Sequence, residues 1–227
     1  MLKKFFLSAL VILAILLLIA LYRTVTHSAP VAEIISGKDI SIDEIKASQN
    51  LAASIRFKTI SYQDEEKFPY EEFNNFIKWA ATTYPEFHKV MEIEQLKHSL
   101  LFKWQGSDSM LAPILFEGHH DVVPIIPGTE NLWQEDPFAG VISNNRIWGR
   151  GALDDKSGVI GLMEAATYLI KNNFNPKRTI YFSFGHDEEV GGSGAALITE
   201  KLRQEGVQLS WSLGEGSFVN KGFFPGI

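Results

Sequence analysis

The chain contains no cysteine. Disulfide frameworks and thiolate-ligated zinc sites are therefore excluded, and a metal could be held only through His, Asp and Glu. Net positive charge is also missing, with 21 Lys and Arg against 27 Asp and Glu leaving −6. Nothing here makes the broad basic field that neutralises a phosphate backbone, so nucleic acid is not an expected partner. The acidic excess reads either as a solvated surface or as local clusters that hold cations. No internal repeat is found. A Walker lysine motif and a G-x-G-x-x-G turn after the first strand are both lacking, which sets aside a nucleotide-binding α/β domain.

Long apolar runs are scarce too, and the one that exists is N-terminal. Lys3 and Lys4 precede Phe5 to Tyr22, in which Ser8 is the only markedly polar residue before Tyr22. As a helix this run spans about 27 Å, close to the hydrocarbon core of a bilayer. It exceeds the roughly 7–15 residues of a signal-peptide core. The cleavage context near Ala29 is poor, because Pro30 follows it and His27 is not small. An uncleaved anchor is favoured over a cleaved signal. With Lys3 and Lys4 ahead and only Arg23 close behind, the N-terminus is expected to stay cytoplasmic and the body to lie on the outer side, as in a single-pass membrane protein. Residues 1–26 thus read as a membrane anchor and 27–40 as a linker carrying Pro30 and Gly37. Residues 41–227 are enough for one domain with a sizeable core.

Within that domain, Ser41 and Glu44 have capping-box spacing, and Ile42, Ile45, Leu51 and Ile55 give helical periodicity to about Phe57. A second helix is expected from near Pro69 to before Pro85, with Phe73, Phe76, Ile77 and Ala80 on its apolar face. Strand-like segments are Lys89–Leu96, Leu100–Gln105 and Pro113–Phe116. A long helix over Lys156–Lys171, a buried strand over Thr179–Phe184, a helix over Gly194–Glu205 and a strand over Gln208–Leu213 follow. This alternation predicts an α/β three-layer sandwich with a largely parallel central sheet. Ligands bind such sheets beyond the carboxyl ends of their strands, and the chemically loaded residues stand at those ends.

Three clusters carry them. In Gly118-His119-His120-Asp121-Val122-Val123-Pro124, an extended backbone puts His119 and Asp121 on one side and His120 on the other. A neutral imidazole is a good zinc ligand when a carboxylate accepts from its other nitrogen, although such a pair is also a common structural hydrogen bond. In Gly149-Arg150-Gly151-Ala152-Leu153-Asp154-Asp155-Lys156-Ser157-Gly158, Asp155 reads as an N-cap of the long helix. Asp154 is then left over and asks for a positive partner, which Lys156 or a cation could supply. In Gly185-His186-Asp187-Glu188-Glu189-Val190-Gly191-Gly192, three acids at the end of a buried strand repel one another unless solvent or a cation compensates.

The set GHHDVVP, GRGALDDKSG and GHDEEVGG, in this order and spacing, resembles the zinc aminoacylase/carboxypeptidase family, in particular the branch of carboxypeptidase S and the N-acyl-amino-acid hydrolases. The resemblance covers about Ile42 to Ile227. It implies two zinc ions, with His119 as a ligand to one of them, Asp121 orienting and polarising His119, Asp154 bridging the metals and Asp155 shaping the turn behind it. It further implies that Glu188 is the general base and Glu189 a metal ligand. The implied substrates are small C-terminal peptides or N-acyl amino acids. Two departures stand out. The family's further carboxylate, often within Asp-Glu-Gly, meets Leu213-Gly214-Glu215-Gly216-Ser217 here, so Glu215 is either the substitute ligand or a surface residue in a glycine-rich turn. The family's late histidine and inserted lid have no counterpart before Ile227, so the chain is expected to be the N-terminal part of a catalytic domain with an incomplete second zinc site. The competing expectation is a membrane-tethered metal-binding domain without catalysis.

Overall fold

The computed structural model describes residues 2–26 and 40–216. The expected linker, apart from Ile40, and the stretch from Ser217 onward lie outside the described residues. The chain divides between Ser41 and Ile42 into two units. In the first, helix α1 covers Leu2–Thr26, and its large apolar residues from Phe5 to Val25 are exposed. It is long and apolar enough to cross a membrane.

In the second unit, α2 (Glu44–Ile55) and α3 (Tyr70–Thr83) lead into a short α4 (Pro85–Val90). Strands β1 (Glu92–Leu96), β2 (Ser99–Trp104) and β3 (Ile114–His119) follow. A hairpin of β4 (Val141–Ser143) and β5 (Arg146–Trp148) precedes α5 (Lys156–Lys171), β6 (Ile180–Gly185), α6 (Ser193–Gln204) and β7 (Trp211–Leu213). The main sheet has the order β1-β2-β6-β3-β7. β3 pairs in parallel with β6 and β7, whereas β2 is antiparallel to both β1 and β6. Four strands therefore run one way and β2 alone runs against them, which is the expected largely parallel sheet.

Strand alternation splits the core between two faces. Leu100, Phe102, Trp104, Phe182 and Phe184 pack with Phe76, Phe87, Val159, Ile160 and Met163 on the face covered by α3, α4 and α5. Leu101, Leu115 and Tyr181 pack with Ile198 and Leu202 of α6 on the other. This is the three-layer sandwich predicted from the alternation of elements.

Boundaries differ from expectation in specific ways. The N-cap of α2 is Asp43, whose Oδ1 accepts from the Lys46 N–H at 3.0 Å, and not Ser41, which stands too far ahead of the first helical residue to reach it. The segment Pro85–Val90 is helical, with Pro85 in the first turn where its missing N–H costs nothing, so β1 starts only at Glu92. β3 runs on to His119 because its pairing with β6 continues to Gly185. β7 begins only at Trp211, three residues later than expected, because its parallel register sets Trp211 opposite Ile114, the first residue of β3. The β4–β5 hairpin was not anticipated; its signal is Asn144-Asn145, both in the left-handed region at φ 51° and 57°, as a tight hairpin turn requires.

Candidate metal centre

The parallel pairing of His119 with Gly185 brings the ends of β3 and β6 side by side. Beyond β6 the chain turns through Glu188 and Glu189, and beyond β7 it passes through Gly214 to Glu215. The turn that opens α5 supplies Asp154 and Asp155. All of these residues gather at the carboxyl end of the sheet, where α/β folds bind ligands.

His119 is 2% exposed and organises the group. Its Nδ1 lies 3.2 Å from Asp121 Oδ1 and 3.1 Å from the Asp121 carbonyl oxygen. Its Nε2 faces three carboxylates, at 2.9 Å from Asp154 Oδ1, 3.4 Å from Glu215 Oε1 and 3.9 Å from Glu188 Oε2. Burial works against its charge, but Asp121, Glu215 and Asp155 outweigh it and hold the imidazole up at about 10. Asp121 is fully buried. Its Oδ2 accepts from Ser61 Oγ at 2.7 Å and from the Glu189 N–H at 3.1 Å, and its Oδ1 from the Glu188 N–H at 3.1 Å. Burial opposes the Asp121 charge, yet the His119 and Ser61 hydrogen bonds prevail and keep the carboxyl below its usual range. One carboxylate thereby fixes both the imidazole and the backbone of the Glu188-Glu189 turn.

Asp155 takes two roles at once. Its Oδ1 accepts from the Gly158 N–H at 3.1 Å as the N-cap of α5, and its Oδ2 accepts from the His119 N–H at 3.2 Å. Lys156 is not the positive partner of this pair. Its Nζ donates to the carbonyls of Ser54 and Phe57, and none of Asp154, Glu188, Glu189 and Glu215 has a Lys or Arg within 4.0 Å among the described residues. Burial raises the carboxyls of Glu189 and Glu215, and the Asp154 charge adds to the rise in both.

The donor set fits a divalent cation. Ligand atoms of His119, Asp154 and Glu215 lie within 4.8 Å of one another, with the other imidazole nitrogen held by a carboxylate and, among the described residues, no Lys or Arg within ion-pair distance of the acids. Glu188 stands at the edge of this group, and its carboxylate is 52% exposed. The Glu189 carboxylate is not among the three, although its backbone is tied to the site through Asp121. His120 and His186 do not come within 4.0 Å of Asp154, Glu188, Glu189 or Glu215. His120 stacks on Phe76 at 4.9 Å and 7° in the core, and His186 Nδ1 meets Ser99 Oγ at 2.6 Å.

Two residues of the site were missed in the sequence. Ser61 comes from a loop about sixty positions before Asp121, and no local pattern announces it. Glu117 stands two residues before His119 on the same face of β3 and lines the same cavity of about 320 Å³ as His119, Glu188 and Glu215. A Cβ at Gly214 would lie 3.2 Å from Glu117 Cβ and 3.4 Å from its Oε2, so Glu117 fills the room beside that glycine. The signal for Glu117 was its alternation with His119 in Phe116-Glu117-Gly118-His119.

Fold and site together define an α/β domain whose parallel strand ends gather an imidazole and several carboxylates, donors suited to a divalent metal. Residues 115–225 match the model of Peptidase family M20/M25/M40. The chain carries a Peptidase M20 family domain. Probable carboxypeptidase S-like 2 of Dictyostelium discoideum is 39% identical over 183 residues, covering 78% of this chain and 35% of that protein. N-fatty-acyl-amino acid synthase/hydrolase PM20D1 of Mus musculus is 37% identical over 188 residues, covering 82% of this chain and 37% of that protein. The chain thus spans little more than a third of the length of these relatives. Human carnosine dipeptidase 1 shares the fold, with a TM-score of 0.60 at 21% identity over 76% of this chain and 38% of that one.

Proposed function

We propose that the protein is a zinc-dependent hydrolase that cleaves the amide bond of small peptides or N-acyl amino acids next to a free carboxylate. The observation that carries this reading is His119, whose Nε2 faces Asp154, Glu215 and Glu188 with no Lys or Arg among the described residues within ion-pair distance of them. His119, Asp154, Glu189 and Glu215 would hold the metal. When bound, zinc supplies Lewis acidity toward the substrate carbonyl and toward water. Asp121 holds the imidazole in the orientation that presents Nε2, and its hydrogen bonds to the Glu188 and Glu189 N–H groups set where those side chains start. Glu188 acts as the general base. Its half-exposed carboxylate takes a proton from water and returns it to the leaving amine.

The pair Glu188 and Glu189 gives the test. In a hydrolytically active form of the protein, Glu188→Gln should leave zinc content unchanged and lower turnover by about 10²–10⁴-fold. Glu189→Gln should lose metal. Elemental analysis and hydrolysis of a panel of N-acyl amino acids and dipeptides would decide, and metal loss in both variants or in neither would overturn the assignment.

A second reading is favoured by one observation: among the described residues, His119 is the one imidazole that faces the acids. On that reading the chain is a membrane-tethered metal-binding domain without catalysis. Zinc titration separates the two. An enzyme binds two ions per chain and hydrolyses acyl amino acids, whereas a silent domain binds one or none and turns over nothing. In either case we infer that α1 holds the 42–227 unit at the outer face of a membrane.

A further inference from the structure

Lys156 is the first residue of α5 and is completely buried. Buried lysines are rare unless paired, yet this one has no carboxylate within ion-pair distance among the described residues. Its Nζ donates instead to two backbone carbonyls, Ser54 at 2.9 Å and Phe57 at 2.7 Å, and stands 5.5 Å from the centroid of the Phe76 ring. Ser54 lies in the last turn of α2 and Phe57 just past it. The ammonium thus caps the carbonyl end of a helix about a hundred residues earlier in the chain, giving Ser54 and Phe57 oxygens that already accept backbone N–H groups a second, charged donor where the negative end of the helix dipole favours a cation.

The stem of the same side chain is a floor for the turn that carries the acids. Gly151, at φ 81°, packs so closely on it that a Cβ there would lie 2.9 Å from both Lys156 Cγ and Cδ. From Gly151 the turn runs through Asp154, 2.9 Å from His119 Nε2, to Asp155, which accepts from the His119 N–H. Phe76, beneath the ammonium, also stacks on His120, the neighbour of His119. Both strands of the arrangement, the acids and the histidine, are therefore referred to one fixed point.

We propose that Lys156 is a positioning residue that sets the aim of the Asp154 carboxylate at His119 by clamping the 151–155 turn to the end of α2. The proposal rests on the reading of His119, Asp154 and Glu215 as a metal centre. Its chemistry needs a cation with several donors at the end of a long apolar stem, and an apolar residue of the same length would fill the space without holding the carbonyls.

Lys156→Met keeps the stem and removes the donors. It should fold, by circular dichroism, but bind zinc about 10–100-fold more weakly in competition with a chromophoric chelator, the range seen when a ligand loses its supporting partner. The visible spectrum of the Co²⁺-loaded chain should change as well. The absence of native cysteine allows a second variant. Lys156→Cys, alkylated with bromoethylamine in denaturant and refolded, restores an ammonium at nearly the same reach, and it should recover wild-type affinity and spectrum. A separate readout needs no metal: the His119 ring resonances of the metal-free chain report Asp154 at its Nε2, and they should move in the Met variant and return in the aminoethylated one. Unchanged affinity, spectrum and ring resonances in folded Lys156→Met would overturn the proposal. So would failure of the aminoethylated chain to differ from its unalkylated parent. Should the wild-type chain bind no zinc, the metal reading falls, and the ring resonances alone still judge Lys156.

Discussion

Burial acts on His119 and His120 alike, but their surroundings send them to opposite charge states. His119 has Asp121 on one nitrogen and acids around the other, and it is held up at about 10. His120 is stacked on Phe76 with both ring nitrogens unpartnered, and burial pushes it down to about 3. The signs for stability follow. A raised imidazole contributes stability that is full below its unfolded value near 6.5 and lost as pH rises toward about 10. A depressed one makes the unfolded chain bind the extra proton, so stability falls as pH drops from about 6.5 toward about 3. The metal-free chain should therefore be most stable near neutrality. His120→Leu should flatten the acid limb of denaturation midpoint against pH, and His119→Gln the alkaline limb, each by on the order of a few kcal/mol across its window. An acid limb equally steep in His120→Leu would show that another group governs it. The acids around His119 favour its protonated form, so zinc bound there as proposed would displace that proton. Calorimetry at pH 7 in buffers of different ionisation enthalpy should report about one proton released per zinc bound at His119.

The same residues show how far the site was legible. His119 and Asp121 could be put on one face because a strand has a period of two, and the structure brings them together. Asp155 could be recognised as a cap because capping is local. Lys156 could not be placed, since its acceptors lie about a hundred positions away on α2 and an adjacent Asp pair looks like the obvious partner. Ser61 was invisible for the same reason. Glu117 obeyed the period of two and was overlooked because a charged residue in an apolar strand looks like a solvent-facing position, which in part it is.

At the scale of elements, local signals fixed the helices better than the strands. The apolar face of α3 and the caps of α5 are written within a few residues, whereas a strand's length depends on the partner it meets. β3 reached His119 because β6 continued beside it, and β7 started only at Trp211, opposite the first residue of β3. The antiparallel placement of β2 follows from the tight β1–β2 turn at Lys97, which holds φ 55°, and a turn of that kind joins only antiparallel neighbours. The cap of α2 gives a quantitative check. Asp43 Oδ1 accepts the Lys46 N–H, so Asp43→Ala should cost about 0.5–2 kcal/mol in urea denaturation, while Ser41→Ala should cost little. The reverse order would restore Ser41 as the cap.

For the whole molecule, the question is what α1 does for the unit that begins at Ile42. Twenty-five helical residues extend about 37 Å, more than the roughly 30 Å of bilayer hydrocarbon, so as a span the helix would tilt or let Lys3, Lys4 and Arg23 reach to the headgroups. No acid stands in its first turn, and the two lysines there outnumber the single arginine at the far end. On the proposed reading of α1 as an anchor, that asymmetry predicts a cytoplasmic N-terminus and a 42–227 unit on the outer side. Expressed in a bacterial host, the chain should sediment with membranes, resist alkaline carbonate and keep its original N-terminus. Protease added to spheroplasts should degrade the 42–227 unit, and protease added to the outside of inverted vesicles should spare it. A soluble product beginning near Pro30 would make α1 a cleaved signal instead. The span itself can be broken: Leu13→Lys with Leu16→Lys puts two charges near its centre, each costing about 2.5–3.5 kcal/mol on insertion scales. The doubly substituted chain should lose carbonate resistance while a matched Leu→Ile pair keeps it, and equal retention of both would mean that the membrane holds the protein by something other than this helix.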